Sequence, residues 1–287
     1  MTRHTAETAV TEALRLRQRM GYSLETPISA VDLAAKLGLQ VRFKALPSLE
    51  GLYVPGSPAL IVLGSHRPSG RRNYTCAHEV GHHVFSDGYS IDAFTQSEKQ
   101  ATMQSREEYL ANRFAAALLM PKLAVCAAFV RRNWRPETPS PTQALVVATH
   151  LRVGYSTLVR YMHKTLGLLG NAEAKRLLKL TPQQIRYRIL GTSISGSAFL
   201  VEKHLTIDPI DAETGDVIVP PPETARKGDC LKPATIGAGR PVLLATQPGI
   251  AKLRFPDASP PLTVRVSRRG FEGLSIYRYL EETDDGT

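Results

Sequence analysis

The segment 74–85, YTCAHEVGHHVF, sets the tightest condition on how this chain folds. Tyr74, Cys76, Ala77, Val80, Gly81, Val84 and Phe85 are apolar or small, the composition of a helix packed inside a protein. His78, Glu79, His82 and His83 lie on that same helix, and three of the chain's eight histidines fall in it. Buried imidazoles and carboxylates are costly unless something pairs with them. The fold must therefore bury this helix and bring a partner to its polar groups. Gly81 leaves room for another backbone to come close.

Residues i and i+4 of a helix share a face. His78 and His82 thus present two imidazoles to one point, and Glu79, one residue round, can reach a water held there. This is the H-E-x-x-H spacing of zinc peptidases. Zinc accepts neutral imidazole nitrogen and, in catalytic sites, keeps one position open for water. The ligand set also tolerates manganese. Glu79 is then the residue expected to take a proton from the attacking water and pass it to the leaving amine.

A third ligand is needed, and EEYLANRFAAALLMP offers Glu107 and Glu108 at the start of a helix expected over 104–120. Leu110, Phe114, Ala117 and Leu118 mark its buried face. Glu108 is preferred because Asn112 lies one turn on, giving a carboxylate for the metal and a polar group to orient a ligand histidine. Glu107 stays open as the alternative, and both acids also suit the dipole at a helix start. His83, Tyr89 and Tyr109 are candidates for holding an oxyanion, each with a purely structural reading beside it. The strand ALIVLG precedes the histidine helix; as a sheet edge it would let an extended substrate pair with it.

Around this centre the pattern is mixed α+β, then all α, then β-rich, with boundaries near 122 and 182. Helices are expected over 5–20 and 29–37, the second capped by Ser29 and ended at Gly38. LQVRF, GLYVPG and ALIVLG read as strands, 73–85 as helix and 87–103 as loop. Helices follow over 123–134, 142–151, 156–166 and 171–179, and from about Ile185 the chain reads as strands. The acidic end, EETDDGT, reads as disordered.

No run approaches the roughly 20 apolar residues of a membrane helix, and no secretory signal is legible. Three widely spaced cysteines, an odd number, fit a reducing cytoplasm without a disulfide framework. The net charge of +10 favours a polyanionic partner, for which nucleic acid is the usual cytoplasmic candidate.

The two motif segments resemble the ImmA/IrrE metallopeptidases, whose pattern is close to T-x-A-H-E-x-G-H followed by E-x-x-A-N-x-F-A-x-x-L-L-M-P. The likeness is specific over about residues 25–122 and looser beyond. It implies a gluzincin-like peptidase domain over 1–122, with zinc on His78, His82 and Glu108 and Glu79 as the catalytic residue. Leu110 stands where an acid is common, which leaves Glu108 as the natural ligand. It further implies a helical, helix-turn-helix-like region over 123–182 and a GAF-like sensor domain over 183–287, a layout similar to IrrE and to the CapP-type proteases of anti-phage operons. Members typically cleave a helix-turn-helix repressor encoded beside them, and so release a DNA-damage, mobile-element or anti-phage programme.

In ALVVATHLRVGYSTLVRYMHKTL, the residues Ala148, Leu151, Val153 and Leu158 match a helix-turn-helix core. A DNA-reading version would expose Ser156, Thr157, Arg160, Tyr161 and Lys164. The favoured reading is that the pair packs beneath the peptidase. Basic residues interleaved with aromatics in 183–287 suit single-stranded DNA as an activator, although most of those aromatics are expected in a β core. Cys230 is a remote candidate for an inhibitory contact with the metal. A second functional reading is a DNA-binding regulator with a vestigial or structural metal site; a third is a nucleic-acid sensor without proteolysis.

Overall fold

The computed structural model describes residues 3–85, 90–93, 106–202, 205, 209–237, 239–255 and 261–280. The acidic end lies outside them. The N-terminal part opens with helices α1 (Arg3–Arg19) and α2 (Ala30–Lys36). Ser29 caps α2, its hydroxyl accepting from the Asp32 amide, and Gly38 follows with φ of 79°. Strands β1 (Gln40–Lys44), β2 (Leu49–Val54) and β3 (Leu60–Gly64) come next, then α3 (Ser69–Val84), β4 (Ser90–Ala93) and α4 (Arg106–Leu119).

The sheet order is β13-β1-β3-β2-β4, so β3, the ALIVLG strand, lies inside the sheet. It pairs parallel with β1 and antiparallel with β2, which leaves it no open edge for a substrate. Its residues are apolar because it is covered on both faces, the pattern of a central strand. The expected loop contains β4, four residues that pair antiparallel with β2. So short a strand is held by its neighbour rather than by its own periodicity. Helix α3 begins four residues earlier than its apolar pattern implies. Its first turn lies against the connection after α6, where a β-carbon on Gly70 would fall 2.7 Å from the Val153 carbonyl carbon.

Helices α5 (Lys122–Val130), α6 (Pro141–His150), α7 (Tyr155–Lys164), α8 (Asn171–Leu178) and α9 (Pro182–Leu190) follow. The side chains of α5 to α8 join the core of the first part, and one continuous apolar cluster runs from Ala9 to Ile185, across residue 122. Residues 182–190, read in part as the start of the strands, are helical. Thr181 and Gln184 form a capping box, Pro182 opens the helix and Gly191, at φ of 70°, ends it.

Arg106–Val130 is long and apolar enough, by composition, to cross a membrane, against the expectation that no run approaches this. It comprises α4 and α5, divided at Met120 and Pro121, and 67% of its most apolar window is buried in the core.

The C-terminal part holds two four-stranded sheets, β5-β7-β10-β9 and β6-β12-β11-β8. These strands are Ala198–Leu200, Ile210–Glu213, Val217–Val219, Ala225–Lys227, Leu231–Ile236, Arg240–Ala245, Gly249–Arg254 and Leu262–Ser267, for β5 to β12 in order. Phe199, Ile218 and Leu243 from one sheet meet Val264 and Leu253 from the other in a shared core. The outer face of the first sheet packs Val217 and Val219 with Leu190 of α9. β7 is therefore apolar at every position.

The last strand, β13 (Gly273–Leu274), leaves this part and pairs antiparallel with β1. Phe271 packs edge-on against Phe43 at 6.2 Å. Polar contacts tie the same seam. Asp32 of α2 accepts from Arg265 at 2.7 Å and from Arg278 at 3.1 Å. Asp211 of β6 accepts from Arg152 and Arg265, each at 2.7 Å, and from the Tyr279 hydroxyl. Arg72 of α3 pairs with Glu213.

Candidate metal centre

Helix α3 is buried from Thr75 to His82 because it runs between the sheet and α4. The crossing with α4 is close at Gly81, where a β-carbon would lie 3.0 Å from the Ala111 Cα and 3.2 Å from the Phe114 ring. The backbone approach expected of Gly81 is there, and it lowers the first turn of α4 onto the histidine face.

That packing brings three ligand types together. His78 Nε2 and His82 Nε2 are 3.1 Å apart, with ring planes at 76°. Glu108 places Oε2 3.2 Å from His78 Nε2 and Oε1 3.3 Å from His82 Nε2. Both imidazoles are almost fully buried and the carboxylate is half-buried. The hydrogen bonds from His78 and then His82 hold the Glu108 carboxyl down at about 2, against the opposing effect of burial. Glu107, the alternative ligand, is exposed and outside the cluster.

The donor set can be tested against a metal. Ligand atoms about 2.05 Å from a tetrahedral zinc stand about 3.3 Å from one another. The two imidazole nitrogens, 3.1 Å apart, are close to that spacing, and each has its own Glu108 oxygen near it, Oε2 at 3.2 Å from His78 and Oε1 at 3.3 Å from His82. Two imidazole nitrogens and a carboxylate converging in a buried space are also the donors that zinc prefers.

Glu79 is fully buried, and its carboxylate lies against β2. A β-carbon on Gly51 would fall 2.5 Å from Glu79 Oε1 and 2.5 Å from Thr75 Cγ2. Gly51 therefore makes room for the acid, and it is a functional position that the motif reading missed. A glycine inside a strand marks a bulge or a close approach. The β2–β4 register shifts between Leu49 and Gly51.

The other expected residues are placed as follows. Asn112 lies one turn beyond Glu108 and lines the same cavity as His78. Its backbone carbonyl accepts from the Tyr74 hydroxyl at 3.2 Å, and among the described residues its side chain makes no hydrogen bond to either histidine. The orienting bond expected of it is absent. His83 turns toward β2, its Nδ1 2.9 Å from the Tyr53 hydroxyl, and burial lowers its pKa. Tyr109 is half-buried, and Tyr89 lies outside the described residues. Cys230 is buried in the C-terminal β core and is not one of the cluster's ligands.

On α7, Arg160 and Lys164 are exposed as expected. Tyr161 is not presented: its ring packs on the core, and burial raises the pKa of its hydroxyl. An aromatic ring flanked by Leu158, Val159 and Met162 is drawn to the apolar side of the helix.

No curated protein matches the chain. The family model for the IrrE N-terminal-like domain of Peptidase_M78 matches residues 34–163, from the end of α2 almost to the end of α7. Both helices that carry His78, His82 and Glu108 lie in that span, and the residues that converge in space are those whose spacing resembled the family. Residues 34–163 thus carry an IrrE N-terminal-like domain, similar to that of the ImmA/IrrE metallopeptidases.

Proposed function

We propose that this protein is a zinc-dependent endopeptidase that cleaves a helix-turn-helix transcriptional repressor in the cytoplasm and so releases a stress, DNA-damage or anti-phage response. The observation that carries the reading is the convergence of His78, His82 and Glu108 from two helices beside a buried glutamate. His78, His82 and Glu108 would hold the ion. A bound zinc supplies Lewis acidity toward a peptide carbonyl and a nucleophile at neutral pH.

The chain's own residues do the rest. Glu79, fixed against β2, takes the proton of the attacking water and delivers it to the leaving amine. Glu108 and the two histidines are held by packing on rigid helices, so the reaction requires little rearrangement of the centre. Strand β4 ends the sheet beside β2 among the described residues and offers backbone groups to an extended substrate.

The C-terminal part, a GAF-like sensor in this reading, carries the trigger, with single-stranded DNA as the favoured activator. The packing of Tyr161 into the core disfavours the alternative in which α7 reads DNA and the metal site is vestigial.

The test is Glu79→Gln. Cleavage of a helix-turn-helix repressor encoded beside this chain should fall by about 10²–10⁴-fold. Bound zinc, measured by elemental analysis, should stay at the wild-type level. Undiminished cleavage would remove Glu79 from the chemistry.

A further inference from the structure

A cavity of about 600 Å³ lies where α3, the α6–α7 pair, α9 and the C-terminal strands meet, and His78 lines one end of it. Its charge is unbalanced. The acids in its wall are engaged: Glu50 with Arg71, Glu213 with Arg72, and Asp211 with Arg152 and Arg265. Two further guanidinium groups in the wall, Arg160 of α7 and Arg186 of α9, have no carboxylate partner among the described residues. The Arg186 Nε is buried without a hydrogen-bond acceptor, and burial lowers that group's pKa. Asp216, the acid whose field reaches Arg186, is itself bound by Arg269 and by the amides of Ser197 and Glu213. Arg186 is partly withdrawn from water with no anion beside it, which is costly to keep, and Arg160 adds an exposed guanidinium to the same wall, so the cavity suits an anion brought from outside.

We propose that this cavity binds a small phosphate ester through Arg160 and Arg186. A phosphate monoester offers three acceptor oxygens and close to two negative charges, which suits two separate guanidinium forks better than one carboxylate does. Thr157 places a hydroxyl in the same wall, and α7 begins there without a side-chain cap on its amides. Phe199 gives an apolar surface for the rest of the ligand. The volume suits a ligand of nucleotide size. The binding claim stands apart from the peptidase reading. Its consequence, that the ligand alters cleavage because His78 lines the same space, rests on that reading.

The experiment uses the full chain, zinc-loaded and after chelation, titrated calorimetrically with adenosine 5′-monophosphate, inorganic pyrophosphate, adenosine, an oligothymidine 15-mer and a Glu-rich peptide. The two phosphate probes should bind in both metal states and raise Tm, and adenosine should not bind. Arg160→Gln should weaken the phosphate probes at least tenfold. Arg186→Gln should do the same, with Arg186→Lys as the variant to use if the glutamine form fails to fold. Lys164→Gln, on α7 but outside the cavity, should change affinity less than twofold.

Several results would overturn the proposal. One is no binding of either phosphate probe at millimolar concentration. Another is binding that disappears on chelation, which would place the anion on the metal. A third is an equal loss in Lys164→Gln, and a fourth is tighter binding of the 15-mer or of the peptide through the same arginines. Failed cleavage in Glu79→Gln with intact phosphate binding separates this claim from the peptidase reading.

Discussion

Glu79 shows how far a motif reaches and where it stops. The spacing of His78, Glu79 and His82 fixes their places on one helix, so the shared histidine face was legible before any tertiary structure was known. Glu108 was preferred from a helical face shared with Asn112, and it is Glu108 that stands beside the two histidines, although the bond imagined for Asn112 is not made. Gly51 was illegible because its role depends on a strand lying across α3, a contact that no local pattern encodes. Gly51→Ala should therefore push the Glu79 carboxylate aside. Displacement of about 1 Å at a reacting centre costs on the order of 10²-fold, so kcat should fall by that order while zinc stoichiometry is kept, since none of the three ligands touches Gly51. An unchanged kcat would mean that the position of Glu79 against β2 is not the one used in catalysis.

At the scale of elements, most helices were readable from period and caps, as Ser29 at α2 shows. Where reading failed, the cause was tertiary. β4 exists by pairing with β2, and the start of α3 is set by the turn after α6. The strand-like reading after Ile185 passed over a capping box at Thr181 and Gln184 that was open to local inspection. The contact of α3 with α4 is the element pair on which the centre depends, because each helix brings part of the ligand set. Gly81→Val would insert methyl groups where even a β-carbon meets the Ala111 backbone at 3.0 Å. Overpacking of this kind typically costs about 1–3 kcal/mol. Urea unfolding of the metal-free variant should show a loss in that range, and zinc affinity should weaken as Glu108 moves away from the histidines. Equal stability with unchanged affinity would show that the two helices can separate without disturbing the centre.

The whole molecule is joined along one polar seam. Asp32 is half-buried, and that burial raises its pKa, but the hydrogen bond and charge of Arg265, with Arg278 beside it, hold it below the ordinary value of 3.8. A carboxyl depressed in the folded state contributes stability that is fully present above its unfolded pKa and is lost as pH falls through the lower folded value. The seam should thus be intact at neutral pH and loosen below about pH 4, the ordinary carboxylate range. Asp32→Asn should cost about 1.5–3 kcal/mol at pH 7, as for hydrogen bonds to charged groups. The gap between variant and wild type, followed by denaturant titration, should close as pH drops below that point. A gap that is constant with pH would mean that the Asp32 charge plays no part in the joint.

The return of β13 to β1 gives this joint a mechanical character of its own. The C-terminal sheets do not hang from the chain as a tethered body would. They leave the first core after α9 and are stitched back into the first sheet at Gly273 and Leu274. A body held at one point can swivel about any axis, whereas one held at both ends and along the seam between them has little freedom to turn. In the reading proposed above, anything that strains those sheets pulls on β1 through β13, and so on the same sheet whose strand β2 lies against Glu79.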